Sequence, residues 1–248
     1  MHFLITNDDG ILAPGIALLA EASQEVGRST VVAPDREQSG TSHSLTLHRP
    51  LRPARRPDGA FQVDGTPTDC VLLALGALLE ERPDFVLSGV NHGPNMGEDV
   101  LYSGTVSAAM EAVTLGVPGV AISFAGHDPD LMRTYRPRLT GLIRQIVQTD
   151  IPPALILNVN LPGIPADAVK GVKVTHLGSR YFSNSLTRMN DPWGREIFWI
   201  GGGTITWTGG EDSDHAAVAD GYISVTPLQM DLTSHRLLET VSGWHLGA

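Results

Sequence analysis

A chain of 248 residues, 42% hydrophobic and 18% charged, is long enough for one large α/β domain or a domain plus an appendage, and too apolar to be disordered. Its formal net charge of -10 argues against sequence-independent nucleic-acid binding, which draws on clustered positive charge; Arg49, Arg52, Arg55 and Arg56 read as a solvated loop. The single cysteine, Cys70, excludes an internal disulfide and reads as packing within the apolar run from Cys70 to Leu79.

The opening stretch MHFLITNDDG carries no basic leader, and no apolar run approaches the roughly 18 residues of a membrane span. A cytoplasmic protein without a membrane partner is expected. His2–Thr6 predicts a first strand. Residues 14–26 place apolar side chains at helical spacing, with Pro14 at the start and Gly27 beyond the end, the asymmetry of a helix. A second strand spans 30–33 and meets Pro34. Residues 69–80 read as a buried helix, 84–88 as a strand, 105–115 as a helix and 119–124 as a strand. A helix at 135–148 and an apolar strand at 154–159 continue the alternation. This order predicts an α/β fold, a Rossmann-like and mostly parallel sheet flanked by helices. Ligands of such sheets bind outside the carboxyl ends of the strands.

From about 178 to 212 the helical period disappears and Gly, Asn, Asp and Trp accumulate. An extended β-hairpin arm is expected, whose Trp193, Phe198, Trp199 and Trp207 pack either on a neighbouring subunit or back on their own chain. A strand at 221–226 and a helix around 231–243 close the molecule. The division is therefore an α/β domain over 1–177, the arm over 178–212 and a carboxy-terminal strand and helix over 213–248.

Three polar loops follow three predicted strands. The first, Asn7-Asp8-Asp9-Gly10, sets two carboxylates side by side. Repulsion and desolvation penalise such a pair unless a hard divalent cation offsets both; helix capping is the plainer alternative. In the second, PDREQSGTSHSLTL, Ser39 and Ser42 offer neutral oxygens, and His43 reads as a structural hydrogen-bonder. The third carries Asn91 and Asn95 in a glycine-rich turn, then Ser103-Gly104-Thr105 at the start of a helix. A helix N-terminus presents N–H groups and a positive dipole end, a cradle for phosphate. The lysine and spacing of a Walker loop are absent. Oxygen ligands of this kind suit Mg²⁺, Mn²⁺ or Ca²⁺.

The blocks NDDG at 7–10, APDREQSG at 33–40, GTPTDC at 65–70, SGVNHGPNMG at 88–97, YSGTVSAAMEA at 102–112 and GYISVTPL at 221–228 closely resemble the SurE (stationary-phase survival) family. The resemblance is dense to about residue 125, thinner to 162, and resumes at 221. It implies a metal-dependent phosphomonoesterase that hydrolyses nucleoside 5'- and 3'-monophosphates, and in some members short polyphosphate. It implies one divalent ion per subunit on Asp8, Asp9, Ser39 and Asn91, with Asn95, Ser103, Gly104 and Thr105 lining the phosphate pocket. It also implies a homodimer or homotetramer joined through the arm and the carboxy-terminal segment. The arm does not match closely enough to transfer individual contacts, and nucleoside-contacting groups are expected there or on another subunit.

The expected chemistry is in-line displacement at phosphorus, with Asp8 or Asp9 activating or positioning the nucleophile. The adjacent pair departs from the spaced Asp-x-Asp of phosphoaspartate-forming phosphatases, which favours direct attack by water. A nucleotide sensor that binds without turnover is the rival reading. A dinucleotide-dependent oxidoreductase is disfavoured because the first strand–helix turn lacks G-x-G-x-x-G.

Overall fold

The computed structural model describes residues 1–183, 186–201 and 203–244. The first strand, β1 (His2–Thr6), is buried at every position because it lies between two parallel strands. These are β2 (Arg28–Pro34) and β5 (Phe85–His92), which sandwich it. Its alternating side chains serve two cores. Phe3 and Ile5 pack toward α1 (Pro14–Gln24) and α5 (Arg136–Val147). Leu4 packs with α2 (Pro67–Leu73) and α3 (Gly104–Thr114) on the opposite face.

The short strands β3 (Pro53–Arg55) and β4 (Phe61–Val63) form one edge; β6 (Gly119–Ala125) and β7 (Ile156–Pro162) extend the sheet on the other side. Beyond them lie β8 (Val172–Val174) and β13 (Ile223–Leu228), giving the order β3-β4-β2-β1-β5-β6-β7-β13-β8. From β4 to β7 the strands run parallel, and β13 joins β7 antiparallel. The expected Rossmann-like sheet is therefore present, with its parallel carboxyl ends gathered on one edge. Two short helices, α4 (Pro129–Arg133) and α6 (Asp214–Ala219), cover connections. Among the described residues no helix is long and apolar enough to cross a membrane.

The arm is a hairpin of two successive ladders. β9 (Ser179–Ser183) pairs with β12 (Thr204–Thr208), and β10 (Leu186–Asn190) pairs with β11 (Glu196–Ile200). Its aromatics divide. Trp193 is 79% exposed and Phe198 and Trp199 are also exposed. Trp207 instead folds back and stacks on His215, ring centroids 4.3 Å apart.

Several elements differ from expectation at their ends. α2 stops at Leu73 and the chain continues as one wide π-helical turn, Ala74–Leu78, closed by Leu79 N–H donating to the Ala74 carbonyl. Gly76, a poor helix former, lies in that turn. The helix expected around 231–243 shrinks to a 3₁₀ turn at His235–Leu237 and α7 (Leu238–Ser242), with no buried residue. A segment that buries no side chain lacks the tertiary packing from which most helical stability comes.

Candidate active site

Thr6 ends β1, and the chain turns at once. The Asn7 side chain donates to the Gly10 carbonyl at 2.9 Å. Gly10 has φ +96°, and a Cβ there would stand 2.9 Å from the Arg36 carbonyl carbon, so this turn accepts only glycine. The Asp8 carbonyl accepts from Gln38 N–H at 2.7 Å, which stitches the loop after β2 to the acidic pair.

Asp8 is 4% exposed, and its carboxylate accepts the Thr105 hydroxyl. Burial pushes the Asp8 carboxyl up to about 6; hydrogen bonds from Thr105 oppose the rise and the Asp9 charge adds to it. Asp9 is also raised by burial, against the pull of the His92 N–H, which donates to its Oδ2 at 3.0 Å. Among the described residues neither carboxylate has a lysine or arginine beside it. Asp8 does not cap the helix that follows its own loop, whose N-cap is Ala13; it meets the first turn of α3, remote in sequence, through both the hydroxyl and the backbone N–H of Thr105.

α3 begins against this pair. Ser103 is its N-cap, accepting from Val106 N–H at 3.1 Å, and Ser103 N–H itself donates to the Asp99 carbonyl. A Cβ on Gly104 would lie 2.9 Å from the Asp8 Cβ, so the first helical residue abuts the acid directly. Thr105 holds Asp8 as well as opening the helix. A cleft of about 200 Å³ collects Asp8, Ser39, Gly40, Asn91, Asn95 and Ser103 on its wall. Asp9, Gly104 and Thr105 stand behind it, tied in through His92 and Asp8.

The oxygen donors fit a hard cation. Asn91 donates its amide nitrogen to the Gly93 carbonyl at 2.8 Å, which orients its Oδ1 as the remaining ligand atom. The Ser39 hydroxyl donates to Glu37 at 2.7 Å and keeps its lone pairs. Thr6 Oγ1 and Ser88 Oγ, paired across β1 and β5, and Asn7 Oδ1 just beyond them are buried without hydrogen-bond partners among the described residues. Among the described residues no three His, Cys, Asp or Glu side chains converge. Any ion here therefore depends on two carboxylates and neutral oxygens, a set that Mg²⁺, Mn²⁺ or Ca²⁺ accepts and structural zinc does not.

His43 pairs with Glu111 of α3, Nε2 to Oε2 2.8 Å, and so ties its loop to the helix as a structural hydrogen-bonder. The same loop is held by the start of α2. Asp69 accepts Thr66 N–H and Thr46 N–H, both at 2.9 Å, while the Thr66 hydroxyl donates to the Ser44 carbonyl. This capping box accounts physically for the GTPTDC block.

Sequence reasoning missed the groups behind Asn95. Its backbone N–H donates to Asn160 Oδ1, its carbonyl accepts from Asn158 and Asn160, and its side chain donates to Ser123 at 2.8 Å. Two asparagines two apart in an otherwise apolar strand were the available signal, since that spacing puts both amides on one face. Asp214, fully buried, was missed too; it accepts Gly97 N–H at 2.9 Å and Gly178 N–H at 2.8 Å, fastening the arm's root to the body.

Known proteins resemble this chain over nearly its whole length. The family described as "Survival protein SurE" matches residues 3–184. A protein named 5'-nucleotidase SurE from Gemmatimonas aurantiaca is 58% identical over 248 residues, covering 98% of each chain. One named 5'/3'-nucleotidase SurE from Cronobacter sakazakii is 46% identical, covering 98% of this chain and 96% of that one. The crystal structure of the SurE protein from Aquifex aeolicus superposes with a TM-score of 0.86 at 40% identity, covering 98% of this chain and 99% of its own.

Proposed function

The chain belongs to the SurE family, and from that premise we propose that it is a 5'-nucleotidase whose hydrolysis of nucleoside monophosphates depends on one divalent ion held by Asp8, Asp9, Ser39 and Asn91. The observation that carries the metal assignment is the adjacent acidic pair, Asp8 buried and Asp9 half-buried, with no lysine or arginine beside either among the described residues. When bound, the ion supplies charge neutralisation and Lewis-acid polarisation at the phosphoryl group. The chain's own part is placement. Thr105 fixes the Asp8 carboxylate and His92 N–H fixes that of Asp9, leaving each acid a second oxygen for ligand or proton. The start of α3, which reaches the cleft at Ser103, brings its positive dipole end to the phosphoryl oxygens as charge builds there. Asn95, its backbone held by Asn158 and Asn160 and its amide by Ser123, adds its second amide proton as a neutral donor. Asp8 and Asp9 position a water for in-line attack; one of them takes the water's proton, the P–O bond to the nucleoside breaks, and that proton passes to the leaving alkoxide.

Incubation with AMP and Mg²⁺ or Mn²⁺ is expected to release phosphate, chelator to stop the release, and acid quenching to leave no phosphate on the protein. Failure to release phosphate with any divalent ion would favour the nucleotide sensor over the enzyme, and phosphate trapped on Asp8 would replace water with the aspartate as nucleophile. Hydrolysis of 3'-monophosphates and short polyphosphate belongs to the same reading, as does a cytoplasmic location, where the lone buried Cys70 needs no disulfide partner.

The same reading makes the molecule a homodimer or homotetramer. Trp199 at 64% and Ile200 at 88% exposure on the arm, with Trp244 after α7 also exposed, form apolar surface of the sort that a second copy covers. Sedimentation at micromolar concentration is expected to give a dimer or larger species. A monomer there would remove this part of the reading.

A further inference from the structure

We propose that the nucleoside of the substrate lodges in a second hollow beside the phosphate cleft, its base lying against the stacked pair Trp207 and His215. This rests on the nucleotidase reading above. The hollow has a volume of about 390 Å³, within the range of roughly 300–1,000 Å³ typical of small-molecule sites. It shares Pro94 and Asp99 with the phosphate cleft, so the two are contiguous and one ligand can span both. Its walls pair apolar side chains, Met96 and Ile205, with the rings of Trp207 and His215. Those rings are 10° from parallel, a flat surface of the shape that a purine or pyrimidine covers.

The polar groups lie where the sugar passes. Arg180 sits over the Trp207 ring at 5.4 Å and forms an ion pair with Asp99. Asp99 thus stands at the junction with a carboxylate able to accept further hydroxyl donors. The wall is also rigid. Glu98 accepts Arg180 N–H, and Asp214 grips both Gly97 and Gly178, so the arm's root belongs to the body of its own chain. A wall that meets the base by stacking predicts acceptance of several bases, since every base offers a π-face.

The test compares AMP with ribose 5-phosphate, the same ester without its base, in Mg²⁺ or Mn²⁺. Wild type is expected to show a KM for AMP about tenfold or more below that for ribose 5-phosphate, from the ~1–3 kcal/mol a stacked base contributes. Trp207→Ala should bring the two KM values close together, and Trp207→Phe should restore most of the gap. His215→Ala, on the other ring of the stack, gives a second reading should Trp207→Ala not fold. Equal losses on both substrates in these variants, or an AMP preference that survives them, would overturn the proposal. Wild type that turns over both substrates with the same KM would overturn it too, while leaving the phosphatase reading intact. Phosphate release from neither would instead bring down that reading, and this inference with it.

Discussion

Asp8→Asn is expected to lower kcat/KM for AMP by about a thousandfold or more and, in chelator, to make the protein more stable. The loss follows from removing a charge that holds the ion and sets the nucleophile, when a single preorganised electrostatic contact is typically worth about 10²–10³ in rate. The gain follows from burial. Asp8 is pushed up to about 6 in the folded chain, above the ordinary carboxylate value near 3.9. A raised pKa means the folded state holds the proton more tightly than the unfolded one. The stability this contributes is complete below about pH 4 and lost as pH rises through about 6. At pH 8 the metal-free wild type therefore carries a penalty that neutral asparagine avoids, on the order of 1–3 kcal/mol from a shift of about two units. Thermal unfolding in EDTA should show the variant melting higher at pH 8 and the difference closing near pH 4. Adding Mg²⁺ should raise the wild type and not the variant. A variant no more stable than wild type in chelator at pH 8 would show that the acid is comfortable in its pocket without an ion, and the metal assignment would lose its physical basis.

Legibility in the sequence tracked the range of the interaction responsible. His2–Thr6 was readable because a continuous apolar run buried on both faces is a local pattern, and the acidic pair was readable because adjacency alone makes it costly. The strands β3 and β4, three residues each, left no period to detect. The bracing of Asn95 by Asn158 and Asn160 spans more than sixty positions and exists only once β5, β6 and β7 lie side by side. The arm's tryptophans make the same point. Trp199 and Trp207 both sit in short strands of the arm, yet one is exposed and the other stacks on His215, because α6 returns to the arm's root. Sequence pattern identified the aromatics and left open their partners, which are set by topology.

Gly104→Ala separates the site from the helix that frames it. In an isolated helix the change would be favourable by about 1 kcal/mol, since alanine is the better helix former, and Gly104 has no left-handed φ to protect. Here the new methyl would stand 2.9 Å from the Asp8 Cβ, 3.1 Å from Asp8 Oδ2 and 3.2 Å from Pro67 Cγ. The Asp8 carboxylate, held by Thr105 one residue further on, must shift or push α3 away. Overpacking of this kind costs about 1–3 kcal/mol, so propensity and crowding nearly offset and the melting temperature should move little. Activity should not escape, because displacing a reacting group by about 1 Å can cost about 10²-fold. Gly141→Ala supplies the contrast. Gly141 lies within α5 and a Cβ there meets nothing within 4 Å, so that variant should gain about 0.5–1 kcal/mol and keep its kcat/KM. Steady-state kinetics on AMP with thermal melts of both variants decide the matter. If Gly104→Ala turns over like wild type, the start of α3 does not set the acid's position, and the close approach of helix and carboxylate is packing rather than part of the catalytic geometry.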